Sequence, residues 1–505
     1  MTPTMLWTLS LLALAAPAPE GSPPPPSEGA APEGGDGEER GGEAGAPDRS
    51  HPPEVVPPQV LELAEPEVHR LSDAVEVLHV HVPGVRKYAV SILPRRGMVE
   101  LQRGRTFEEA MGWLLDTGTE QHDAAALSEL EDLHEVDVWS TLRSHYGLLG
   151  VEGPREELDL GLELLGELVR GPTFPKADLR RFVEDQELYY LVRGRSRPRN
   201  VATALVAYGW YAPGNPYGER PDLSLYDQVD PKALLGAYWA WIDAAPITVL
   251  SVGDMAYGDV APALASMLAG RGAAGAPAEE LEAGTPPGSR VLAAAMPGQE
   301  QVSIHLRTAA PSRSDEDLVA AWVGAYVLGG HFLSRLNANL REEKGWTYGA
   351  RASYTRTAHD GILDVSVDVA MENVAGAVRE IEGELQRLAD EGVTAEEIHL
   401  ARSRLVADWN ETRVTAADTH EQYLGAIESG ESMAARRGRY LALAEVTPEQ
   451  VQEVARRYWG ADGVRLWALV GEGEGLRGQL DELGWEAQWV EPSAAILGKV
   501  PVATR

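Results

Sequence analysis

Hydrophobic and polar positions alternate along two early stretches, AVEVLHVHV (74–82) and KYAVSILPR (87–95), and this period of two predicts paired strands. Further on, ELDLGLELLGELVRG (157–171) spaces its apolar residues three and four apart and stops at Gly171, the pattern of an amphipathic helix. Each half of the chain closes on the same pair of elements. Val229-Asp230-Pro231 opens a helix (LLGAYWAWI) followed by a strand (ITVLSVGD), and Val446-Thr447-Pro448 opens VQEVARRYW, followed by VRLWALVGE. In both, a polar cap precedes a first-turn proline, as a helix start should read. Pro231 and Pro448 stand 217 positions apart, so the repeating unit is a whole domain and not a solenoid turn. Strand pairs mixed with helices predict an α+β fold: two homologous domains, each an antiparallel or mixed sheet with helices on one face. Joined by a flexible linker, two such domains predict a clam-shell that places function between them.

The boundaries follow from composition. Residues 59–269 form the first domain, 270–290 the linker, 291–490 the second domain and 491–505 a tail. The linker contains Gly270-Arg271-Gly272-Ala273-Ala274-Gly275, formally GxGxxG. It follows the helical stretch APALASMLAG and runs into Ala-Pro, whereas a dinucleotide loop follows a strand and opens a helix. Residues 17–58 are Pro, Gly, Ala and acid without apolar periodicity, a disordered leader that cannot offset its own ordering entropy. His51-Pro52-Pro53-Glu54 lies in that leader and is no metal site. Before it, residues 1–16 read as a signal peptide. The apolar run Leu6–Ala16 is too short to span a bilayer, Ala13-Leu14-Ala15 supplies small residues for cleavage, and the run has no basic residue before it. The chain is expected to be exported, to the periplasm or beyond, with no membrane span.

Charge and cysteine content narrow the classes. With 78 acidic and 44 basic side chains the formal charge is −34, which excludes nucleic acid as partner because phosphate binding needs clustered Lys and Arg. The absence of cysteine removes disulfides, Cys-ligated zinc, iron–sulfur clusters and thiol catalysis. A hydrophobic share of 44% over 505 residues is ample for real cores.

The strongest local pattern is Gly329-Gly330-His331-Phe332-Leu333-Ser334-Arg335-Leu336 followed by Leu340-Arg341-Glu342-Glu343-Lys344-Gly345-Trp346-Thr347-Tyr348. It resembles the SRL…LREExGxxY signature in the C-terminal domain of the insulinase/pitrilysin (M16) zinc peptidases. In the first half, the stretch from LLDTGTEQHD to FPKADLRRF, then GNPYGERPD and ITVLSVGD, resembles landmarks of the family's N-terminal domain. The resemblance covers roughly residues 70–490 and implies the two-domain members that act as dimers or heterodimers.

Family peptidases carry HxxEH on a helix, two histidines on one face for zinc and a glutamate that activates the bound water. Counted back from Gly118-Thr119, that motif should occupy 109–113, where this chain reads Glu109-Ala110-Met111-Gly112-Trp113. The family's third ligand, a glutamate about 75–80 residues further on, should fall in FVEDQELYY, where the register suggests Tyr189, with Phe182 at a second acidic position. Glu184 and Glu187 could serve a shifted register, but a lone carboxylate does not hold zinc. No metal and no catalytic residue are therefore assigned to this chain. His79 and His81 share a strand face without a third ligand, and His331 reads as a loop or packing residue.

What the resemblance retains is Arg341 and Tyr348, which match the family's Arg and Tyr that act on substrate held at the zinc site. A guanidinium is a fixed cationic fork and a phenol hydroxyl a neutral donor suited to developing oxyanion charge. The expectation is a non-catalytic subunit of an exported M16-type zinc peptidase. It would give Arg341 and Tyr348, and half of an acidic peptide-enclosing chamber, to an HxxEH-bearing homologue that holds the zinc. The alternative is an inert M16-fold scaffold or peptide-binding protein. The edge strand that should meet substrate resembles Val136-Asp137-Val138-Trp139, and the bulk of Trp139 opposes peptide binding there.

Overall fold

The computed structural model describes residues 59–97, 105–142, 146–212, 215–219, 222–275, 284, 288–357, 360–411 and 415–500. The expected signal peptide and leader lie outside the described residues, as does His51. Two six-stranded sheets form the frame. The first contains β1 (Glu67–Ser72), β2 (Val75–His81), β3 (Lys87–Pro94), β4 (Asp137–Leu142), β5 (Gly147–Pro154) and β6 (Ile247–Gly253), in the order β1-β2-β6-β3-β5-β4. The second contains β7 (Arg290–Ala295), β8 (Gln301–Ala309), β9 (Ala350–Arg356), β10 (Gly361–Ala370), β11 (Arg465–Gly471) and β12 (Gln488–Trp489), in the order β12-β7-β11-β8-β10-β9. Five strands correspond one to one, and in each set the first and last run parallel, β2 with β6 and β7 with β11. The halves differ at the sixth strand: β1 pairs antiparallel with β2, whereas β12 pairs parallel with β7.

Among the described residues the first half contributes seven helices: α1 (Arg105–Leu114), α2 (Ala124–His134), α3 (Leu158–Arg170), α4 (Lys176–Leu188), α5 (Pro198–Gly209), α6 (Pro231–Ile242) and α7 (Tyr257–Met267). The second half adds α8 (Leu318–Ala325), the short α9 (Arg335–Asn337), α10 (Val374–Glu391), α11 (Ala395–Glu411), α12 (Ala416–Glu428), α13 (Met433–Ala442), α14 (Pro448–Val454), α15 (Gly473–Leu483) and α16 (Pro492–Ile496). The caps read from sequence are present: Asp230 accepts from the Ala233 N–H, and Thr447 and Gln450 form a reciprocal capping box. Gly270 to Gly275 follow the end of α7, a helix and not a strand.

One face of each sheet packs on helices of its own half. Val77, Tyr88, Val90 and Val249 meet Leu162 and Leu165 of α3 and Leu234, Tyr238 and Trp241 of α6. The opposite faces are covered too, and by exchanged helices. Val80, Leu93, Leu148, Leu250 and Val252 of the first sheet lie under Trp409 of α11 and Tyr423, Leu424 and Ile427 of α12. Leu292, Ala294, Leu466, Ala468 and Val470 of the second sheet lie under Val201, Ala202, Leu205 and Val206 of α5, with Ala495 and Ile496 of α16 beside them. Since each fully buried Val or Leu contributes about 1.5–3 kcal/mol, the halves are held together by two shared cores as well as by the connecting segment.

Each seam also buries one histidine. His420 of α12 meets the Ser91 hydroxyl on β3 at 2.8 Å. Ser91 pairs across from Leu250 and His305 across from Ala468, equivalent places in the two sheets. His305 therefore sits on the second sheet where Ser91 sits on the first, facing α5. Near it Arg307 chelates Asp364 (2.7 and 2.8 Å), and Arg199 of α5 reaches Asp368 at 2.6 Å. Among the described residues no helix is long and apolar enough to cross a membrane.

Candidate functional site

Helix α1 carries positions 109–113, of which two are buried, two half-buried and Trp113 partly exposed. Ala110 and Met111 are fully buried in the first core. Glu109 accepts hydrogen bonds from the hydroxyls of Tyr190 (2.9 Å to Oε1) and Tyr226 (3.2 Å to Oε2). Trp113 lies 6.0 Å from Phe182, whose ring meets Tyr226 edge-on at 5.7 Å. A Cβ on Gly112 would already touch Leu142 Cβ at 3.4 Å. An aromatic plug thus fills the place where HxxEH and its acidic partner would converge. These residues do not fit a zinc ion: one carboxylate, satisfied by two phenols, offers neither the ligand number nor an activated-water base. Among the described residues no group of three or more His, Asp or Glu side chains is arranged to hold a metal.

The stretch in which the sequence placed the third-ligand position, at Tyr189, packs beside Glu109. Tyr190, not Tyr189, turns toward Glu109, and Tyr189 packs against it at 5.2 Å. The helix widens to a π turn over Tyr189–Arg193, and a wider turn rotates the side chains that follow. Glu184 and Glu187 are exposed, on the side of α4 away from buried Phe182 and Gln186. Because Glu109 neutralises two inward phenols, Glu109→Ala is expected to lower stability by about 1–3 kcal/mol. The check is a denaturant midpoint that falls with an unchanged slope; an unmoved midpoint would contradict the coupling.

The histidine pair on β2 divides. His79 is buried, near Ser251 Oγ (3.3 Å) and the Met255 carbonyl (3.1 Å), and burial holds its pKa down. His81 is exposed and meets Asp254 at 2.9 Å. His331 stacks on Tyr326, ring centroids 4.9 Å apart, as a packing residue.

The segment 329–348 is braced from beneath and presents its chemistry outward. At Gly329 a Cβ would stand 2.3 Å from the Ala352 nitrogen, so only glycine allows this approach to β9. Asn337 ties the segment's two ends, its amide donating to the carbonyls of His331 and Ala350 (both 3.0 Å) and accepting from the Ala350 N–H (2.9 Å). Arg335 grips Glu397 with two bonds of 2.7 and 2.8 Å. On this base Arg341 lays its guanidinium 3.9 Å above the Phe332 ring and pairs with Glu342 at 3.4 Å. Tyr348 is 93% exposed, Leu333 70% and Phe332 59%. Arg341 and Tyr348 thus belong to one displayed element of the second half, whereas Glu109 to Trp113 lie in the helical layer of the first. Sequence reasoning missed the roles of Phe332, Tyr226 and Tyr190; the aromatic run Tyr189-Tyr190 was the only signal for any of them.

Residues 228–405 match the family model described as the peptidase M16 inactive domain. Among solved structures, the peptidase M16 inactive domain from Pseudomonas fluorescens is similar with a TM-score of 0.73 and 19% identity, covering 81% of this chain and 98% of that one. A protease from Helicobacter pylori superimposes with a TM-score of 0.71 and 14% identity, covering 81% and 100%. The periplasmic protease PqqL from Escherichia coli gives 0.69 and 14%, covering 83% of this chain and 47% of its own. No curated protein matches the chain. The class is therefore the two-domain M16 fold. Within it, residues 228–405 are similar to the inactive domain of that family, and the chain nowhere carries the HxxEH sequence.

Proposed function

We propose that this chain is the non-catalytic subunit of an exported M16-type zinc peptidase. A homologous partner would hold zinc on HxxEH, and this chain would supply Arg341 and Tyr348 and half of the enclosing wall. The observation that carries the reading is the contrast between the halves. The metal position is plugged by Glu109, Trp113, Phe182, Tyr190 and Tyr226, while Arg341 and Tyr348 stand outward on a braced segment with Tyr348 almost wholly exposed. A tyrosine kept only for packing would be buried, and a solvent-exposed phenol on the same segment as a guanidinium suits contact with another molecule. The periplasmic location of PqqL supports export. The formal charge of −34 supports a preference for basic peptides within the enclosure.

The test is to isolate the tagged chain from its own host and measure zinc and co-purifying proteins. About one zinc per pair with an HxxEH-bearing homologue is the expected result. Neither zinc nor such a homologue, under conditions that keep complexes intact, would overturn the reading in favour of an inert scaffold or peptide-binding protein.

A further inference from the structure

The outer strand of the first sheet, β4, pairs with β5 and, among the described residues, with no other strand. An outer strand offers every second N–H and C=O to an incoming chain, which is how sheets recruit extended peptides. Antiparallel pairing alternates, so Asp137, Trp139 and Thr141 face β5 while Val138, Ser140 and, at the strand's end, Leu142 face outward. Two of the three outward N–H groups, in the middle of the strand, are already used. Val138 donates to Glu131 Oε1 at 3.1 Å, and Ser140 donates to Asp116 Oδ2 at 3.0 Å. The Ser140 hydroxyl adds a bond to the same Asp116 oxygen at 3.2 Å.

We propose that Asp116 and Glu131 close this edge, so that the first half takes no extended peptide by strand addition and any peptide the protein meets must pair elsewhere. The two carboxyls arrive from separate elements. Asp116 lies just beyond α1, and Glu131 sits in the last turn of α2. That helix ends at Glu135 in the left-handed conformation (φ 55°) and turns directly into β4, which brings Glu131 back over Val138. Burial pushes Asp116 up to about 6 and Glu131 up to about 7, as for carboxyls withdrawn from water. Either protonation state leaves an oxygen that accepts, so the closure does not depend on ionisation. A peptide could enter only by displacing both groups and leaving them without their amide donors, which is unfavourable for desolvated carboxyls. Trp139 contributes less than its bulk suggested, because its indole lies flat across Gly150, where a Cβ would be 2.5 Å away. This closure is independent of whether a zinc-bearing partner exists.

Residue-resolved native hydrogen exchange on the full chain tests it. The Val138 and Ser140 amides should exchange at least about tenfold more slowly than free amides. Ser140 should accelerate in Asp116→Ala and Val138 in Glu131→Ala, while the Trp139 amide, bonded to β5, stays slow. Val138 and Ser140 exchanging freely in the native chain would overturn the proposal, with no variant needed. A labelled peptide of alternating threonine and valine provides a second arm. Binding to the native chain with new protection at those two amides would also overturn it; binding gained only by the double alanine variant would support it.

Discussion

Replacing His305 and His420 together by glutamine should make the protein less sensitive to acid than the native chain. Both imidazoles are buried, and burial pushes each down to about 4. Around His305, Arg199 and Arg307 oppose a further positive charge while Asp364 and Asp368 favour it, and desolvation outweighs them all. A histidine whose folded pKa lies below its unfolded value of 6.5 contributes stability above that value and loses it as pH falls toward 4. At 1.36 kcal/mol per pKa unit, each site is worth on the order of 3 kcal/mol across that window. Buried carboxyls act in the opposite sense. Asp116, Glu131 and Asp360, raised to about 6, 7 and 6, contribute stability at low pH and lose it as pH rises through those values. These carboxyls work against the histidines over part of the same range, so the histidine effect is read in the difference between variant and native chain. Urea midpoints of both proteins from neutral pH to about 4 should converge or cross as acid is added; parallel curves would refute the prediction.

The second large effect concerns turnover. If the proposed zinc-bearing partner is found and the complex reconstituted, Arg341→Ala combined with Tyr348→Phe should lower kcat/KM by about 10²–10³, the usual loss for a donor aimed at an oxyanion. Assembly should be unchanged, because Asn337 and the Arg335–Glu397 pair hold the segment and neither is altered. Phe332 gives the prediction a further edge. Its ring supports the guanidinium at 3.9 Å, so Phe332→Leu should weaken the effect of Arg341 while leaving Tyr348 competent. Full activity of the double variant would make the pair a relic of ancestry.

Much of this was legible in the residues themselves. The alternation in 74–95 and the capped prolines at 231 and 448 located strands and helices because backbone periodicity and capping are local properties. The absence of an HxxEH sequence was equally plain, since a motif of neighbouring residues is read directly. The exchange of α5 and α12 was not. An apolar helix face states that something must cover it and says nothing about which sheet does. The aromatic cluster was half visible: Trp113 and Phe182 could be read from the sequence, but Tyr226 comes from a distant segment and Tyr190 depends on a π turn that no local pattern announced. The edge closure by Asp116 and Glu131 was hidden for the same reason, because the two carboxyls meet β4 only after α1 and α2 have packed.

The exchanged helices also impose an order on biosynthesis. Every strand of the first sheet has been made once Gly253 leaves the ribosome, yet the cover for its outer face arrives only with Trp409 to Ile427. Until then Val80, Leu93, Leu148, Leu250 and Val252 present a bare apolar surface, of the kind that draws chaperones or aggregates. The second sheet meets the reverse situation, since α5 is already waiting when β8 and β11 form. The nascent chain therefore cannot complete its first half before its second, and a polypeptide stopped short of α12 would be an unfinished sheet in search of a partner.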